Sequence, residues 1–114
     1  MDKQERRQAA AKYKERLQQG GVYAIRCKEN GKRLILSTAD IMGSKNRFAF
    51  AQSTGGCVHP KLREDWAKYR GKAFEFEILE TLTQKEAQTD AEFQNEIADL
   101  LKLMTDQAET ETLY

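Results

Sequence analysis

Apolar residues along this chain alternate in some stretches, run together in others and recur every third or fourth position elsewhere. Each pattern predicts a different element. Gly21-Val-Tyr-Ala-Ile-Arg-Cys27 is rich in β-formers, with Tyr23, Ile25 and Cys27 on one face. Asn30-Gly31 then supplies the strongest two-residue hairpin signal, since both positions tolerate positive φ. Arg33–Ser37 is the predicted return strand, and its unbroken Leu34-Ile35-Leu36 run suggests a strand covered on both faces. Further on, Phe74, Phe76 and Ile78 alternate with Glu75 and Glu77, which predicts a third strand with one wet face.

The helical signals fall between and around these strands. At the N-terminus, Asp2 and Glu5 have capping-box spacing, alanines 9 to 11 favour helix, and Gly20-Gly21 stops it. Its stripe of Ala10, Tyr13 and Leu17 is thin, as expected of a peripheral arm. After a turn at Asp40 to Gly43, Ser44 is the expected cap of a helix through Asn46, Arg47, Phe48 and Ala51, with Arg47 in its first turn. Gly55-Gly56 ends that helix. Pro60 suits the first position of another, in which Leu62, Trp66 and Tyr69 form a buried stripe and Gly71 the stop. Thr83 to Glu86 and Thr89 to Glu92 both have capping-box spacing. The second is the expected start of the last helix, with Phe93, Ile97, Leu100, Leu101 and Met104 as its core face. Residues 106–114 are polar and expected to fray. The fold class is therefore α+β: a three-stranded, mostly antiparallel sheet flanked by helices. A helical arm at 1–19 precedes the domain at 20–104, and a polar tail at 105–114 follows it.

At 114 residues the chain is the size of one domain with one core. No stretch approaches the roughly 18 apolar residues of a membrane helix, and the N-terminus lacks the apolar segment of a secretory signal. No membrane partner is expected. Cys27 and Cys57, far apart and outside any CxxC pattern, read as ordinary thiols of a cytoplasmic protein. The charge is unevenly spread. Residues 1–73 carry 17 Lys/Arg against 7 Asp/Glu, a balance of +10; residues 74–114 carry 2 against 11, a balance of −9. Such a basic region is the footprint of a polyanion such as nucleic acid, unless the two halves neutralise each other across the fold.

The combination of Gly21-Val22-Tyr23, a turn, Gly31-Lys-Arg-Leu-Ile-Leu-Ser-Thr38, an arginine on the next helix, the strand Phe74–Glu80 and a glutamate-bearing final helix resembles the GIY-YIG nuclease superfamily. The likeness spans roughly residues 20–104 and is greatest to short stand-alone bacterial members. It implies a metal-dependent endonuclease that hydrolyses phosphodiesters of nucleic acid, DNA foremost, with one divalent cation, magnesium or manganese. In such chemistry a cation and an arginine absorb charge on the pentavalent transition state, while a phenol or imidazole orients water. By the resemblance, Tyr23 takes the place of the first-motif tyrosine and Arg47 that of the helix arginine, with Lys45 its nearest rival. Glu96 is the preferred metal ligand, with Glu92 one turn earlier as the alternative. His59 is a candidate helper to catalysis or, as the residue before Pro60, a simple helix cap. The chain departs from the pattern in the second motif, where Leu34-Ile35-Leu36 replaces Tyr-Ile-Gly, and it has no asparagine after Asn95. Leucine offers neither a proton nor a hydrogen bond. The second function the sequence allows is therefore a nucleic-acid-binding or regulatory module that kept the fold and lost turnover.

Overall fold

The computed structural model describes residues 18–108 and 112–114, so the expected N-terminal helix, including Ala10, Tyr13 and Leu17, lies outside the described residues. The described elements are β1 (Gln19–Cys27), β2 (Arg33–Thr38), α1 (Ile41–Thr54), α2 (Arg63–Tyr69), β3 (Phe74–Thr83) and α3 (Asp90–Gln107), with short 3-10 turns at Pro60–Leu62 and Gly71–Ala73. The three strands form one antiparallel sheet in the order β2-β1-β3. The first strand is thus the central one.

Side chains alternate across β1, and the two faces meet different helices. On one face Ile25, Cys27, Leu34 and Phe74 join Phe48 and Ala51 of α1, Leu62 just before α2 and Trp66 within it in a single core cluster. Aromatic rings fill much of it: Trp66 stacks on Phe74 at 4.8 Å between centroids, and meets Phe48 edge-on at 6.1 Å. On the other face Val22 and Ala24 are fully buried, and α3, with Phe93 and Ile97 buried, packs against β1 and β2. The expectation of a helix-covered three-stranded sheet holds, with helices on both faces.

Several local expectations shift. The Asn30-Gly31 turn is wider than a two-residue hairpin: Gly31 N–H donates to Cys27 O at 2.9 Å, and Lys32 N–H donates to Asn30 Oδ1 at 2.9 Å. Gly31, at φ 75°, takes the left-handed step this loop requires. Helix α1 starts at Ile41, capped by Asp40, whose Oδ1 accepts from Gly43 N–H at 3.0 Å. Ser44, expected to be the cap, is instead a buried helix residue, and Arg47 falls in the second turn. The expected turn at 40–43 is instead the cap and first turn of this helix, because the Asp40 side chain takes Gly43 N–H and its carbonyl takes Ser44 N–H. Strand β3 runs on to Thr83, past the alternating stretch, so Thr83 ends a strand and Thr89 alone caps the last helix, accepting from Glu92 N–H. In α3 only Phe93 and Ile97 are buried; Leu100, Leu101 and Met104 are half-buried, and Leu103 is 55% exposed. The helix continues to Gln107, past the 104/105 boundary. Leu113 bridges to Arg33, Tyr114 N–H donates to Arg33 O at 3.0 Å, and the Tyr114 hydroxyl donates to Asp65 at 2.7 Å. The expected fraying at the C-terminal end therefore does not extend to Tyr114.

Candidate active site

Where β1 pairs with β3 the register slips between Val22 and Tyr23, so that Val22 faces Glu80 and Tyr23 faces Ile78. Gly21 sits beside this bulge with its α-carbon against the Glu80 carbonyl, leaving no space for a Cβ. Gly21 therefore sets the strand spacing two residues before Tyr23, which stays paired within the sheet. The Tyr23 ring lies half-buried, stacked on Phe76 at 4.6 Å. Burial pushes the phenol above its ordinary pKa, while a hydrogen bond with Ser44 and the charge of Arg47 pull the other way.

Ser44 connects the cluster. Its residue is 4% exposed, and it is the one polar or charged residue among the described residues that is fully buried. Arg47 Nη2 donates to Ser44 Oγ at 2.9 Å, and Ser44 Oγ donates to Thr38 Oγ1 at 2.9 Å. Thr38 Oγ1 in turn accepts from Asp40 N–H at 3.0 Å. The end of β2, the cap of α1 and the first two turns of α1 are thus bound into one polar chain ending at an exposed guanidinium beside a phenol. An arginine pinned in this way loses little further rotamer freedom on gripping a phosphate.

The substituted second motif lies beside this cluster. Leu36 stands directly across from Tyr23, and Leu34 across from Ile25. Leu34 is 5% exposed within the core cluster, and Leu36 packs against that cluster from its edge.

The remaining predicted residues sit elsewhere. Glu96 is half-buried on α3 and accepts from Gln88 Nε2 at 2.6 Å. Gln88 is held in turn by the loop before α3, where its Oε1 accepts from Lys85 N–H and its backbone carbonyl from Gln84 Nε2. Glu92 is exposed at the first turn of α3, its N–H given to Thr89. His59 caps the Pro60–Leu62 turn, its Nδ1 accepting from Lys61 N–H at 3.1 Å. Lys45 is exposed on α1. Among the described residues no hydrogen bond or ion pair joins Glu92, Glu96 or His59 to the Tyr23–Arg47 cluster, and no group of three His, Cys, Asp or Glu is placed to hold a metal. Ser44 and Thr38 were missed in the sequence because a serine four residues past a good cap reads as a cap itself. Its spacing of three from Arg47 was the available signal.

This sheet order and helix placement have counterparts among solved structures. The catalytic domain of homing endonuclease I-TevI is similar at 21% identity and TM-score 0.58, covering 83% of this chain and 95% of that one. The fold is GIY-YIG-like. A variant of the catalytic domain of intron endonuclease I-TevI is also similar, at 21% identity and TM-score 0.57 over 78% of this chain and 82% of that one. No protein-family model matches the chain, and no curated protein matches it significantly. The GIY-YIG fold places the Gly21-Val22-Tyr23 motif on the central strand, with Arg47 on the helix that follows the hairpin.

Proposed function

We propose that this chain is a nuclease domain that binds a nucleic-acid phosphodiester at the Tyr23–Ser44–Arg47 cluster and hydrolyses it with a divalent cation held by Glu96. The observation that supports this reading most is the exposed Arg47 guanidinium, fixed by buried Ser44 beside the half-buried phenol of Tyr23, on a nuclease fold. Arg47 neutralises charge on the phosphate as it accumulates. Burial raises the pKa of Tyr23, which suits its phenol to donating a hydrogen bond to a phosphate oxygen.

The donor set suits one kind of cation site. Glu96 offers a single carboxylate with one oxygen engaged by Gln88. Magnesium is commonly held by one or two carboxylates together with waters and substrate phosphate oxygens, so the site completes itself only with substrate. When bound there, the cation supplies Lewis-acid stabilisation of the phosphate. His59, with Nδ1 taken by the cap, carries its neutral-form proton on Nε2.

A second reading is a binding module without turnover. It is favoured by the leucines of β2: Leu34 is sunk in the core and Leu36 flanks Tyr23, so neither presents a polar group to the phosphate. Plasmid nicking in magnesium or manganese separates the two readings. Cutting by the parent supports the nuclease; phosphate-dependent binding without cutting supports the module.

A further inference from the structure

Two cavities border the C-terminal end of α1 and share Cys57 in their walls. The first, about 500 Å³, begins at Arg47 and is walled by Phe50, Ala51 and Val58. Phe50 is 69% exposed, the most exposed of the large apolar side chains among the described residues, and lies three residues after Arg47 on the same helix. The second cavity, about 520 Å³, is walled by Trp66 and rimmed by Arg63, Arg70 and Lys72. Neither lining contains a carboxylate. Among the described residues none of these four cations is in an ion pair, Arg26 alone being paired, with Glu75 and Glu77. Arg70, the C-cap of α2, is also the only described non-glycine residue at positive φ (72°).

An aromatic face left in water next to a pinned guanidinium is suited to a base and its phosphate, because stacking needs only a π-face and the phosphate needs a cation. Bases inside a duplex are already stacked on one another and do not offer that face. We propose that one unpaired nucleic-acid strand crosses both cavities, with a base stacked on Phe50 and following phosphates held by Arg63, Arg70 and Lys72. This rests on Arg47 holding the first phosphate. Each cavity is large enough for a nucleotide-sized group.

The test is fluorescence anisotropy at several salt concentrations with a labelled oligothymidylate of about twelve nucleotides, within the usual single-strand site size, and a duplex of equal length. Parent protein, Phe50→Ala, the double variant Arg63→Gln/Lys72→Gln and Arg47→Ala are compared after thermal melts confirm folding. Single strand is expected to bind more tightly than duplex. Phe50→Ala should weaken it by about 5- to 100-fold with an unchanged salt slope. The double variant should flatten the log–log slope by about 1.4, or 0.7 for each lost contact. Tighter duplex binding, or a Phe50→Ala variant that binds as the parent does while Arg47→Ala fails, overturns the strand path and leaves the phosphate site standing. No binding by the parent at low salt overturns both. A Phe50→Ala change that only dissolves a dimer in sedimentation, with binding intact, assigns Phe50 to self-association and also overturns the proposal.

Discussion

Tyr23, Ser44 and Arg47 are separated by 24 positions in sequence and joined by one polar contact path. Tyr23 and Arg47 stood out through motif resemblance, whereas the reason they meet is Ser44, whose burial depends on where α1 begins. The Tyr23 pKa is raised in the folded chain, so its proton is held more tightly there than in the unfolded one. Its contribution to stability is complete below the unfolded value near 10 and falls as pH climbs through the higher folded value. Cleavage should accordingly show no Tyr23 titration between about pH 6 and 9, and Tyr23→Phe should lower kcat without creating a new pH dependence there. A Tyr23→Phe profile that loses a limb near neutrality would mean that the phenol acts as a base. Position 36 gives a second expectation. Leu36 is the cross-strand neighbour of Tyr23, so Leu36→Gly opens space beside the phenol and weakens the strand. It should lower the melting temperature yet raise magnesium-dependent nicking over the parent, measured where both are folded. Leu34→Tyr, by contrast, overpacks a core position and should cost about 1–3 kcal/mol; an unchanged melt would show that the ring escapes the core.

At the scale of elements, the strands were readable because alternation and the Asn-Gly signal are local, and Thr89 marked the last helix through its own cap. The loop of the hairpin and the start of α1 were not, because both are decided by side-chain acceptors, Asn30 and Asp40, competing for backbone N–H groups. The core face of α3 was overestimated: a helix-period pattern does not tell how far a three-stranded sheet extends beneath it, and past Ile97 there is little left to cover. Two measurements belong here. Thr89→Ala removes the cap of α3 and should cost about 1 kcal/mol in a denaturant melt. Glu96→Gln and Glu92→Gln test the cation ligand: manganese titration in the presence of a nucleic-acid phosphate analogue should lose its site with Glu96→Gln and keep it with Glu92→Gln. The reverse pattern moves the ligand one turn towards the helix start, to the exposed residue.

Among the described residues, the opposed charges of the two parts of the chain form ion pairs only at Arg26, which bridges to Glu75 at 2.9 Å and Glu77 at 3.5 Å across the sheet. The other described cations are in no ion pair, and the polyanion reading is tested by salt dependence. About four phosphate contacts predict a log–log salt slope of roughly −3.6 on duplex DNA and −2.8 on a single strand; a flat dependence excludes phosphate binding altogether. We propose that this GIY-YIG-like fold, with its leucine-substituted second motif, still hydrolyses phosphodiesters through Arg47. Conversion of supercoiled plasmid to the nicked form, with magnesium or manganese and with chelator, tests it most directly when parent and Arg47→Ala are run side by side. Metal-dependent nicking by the parent is expected, with a rate about 10²–10³-fold lower for Arg47→Ala. Equal rates for the two proteins, or no metal-dependent nicking by a folded parent, would contradict it.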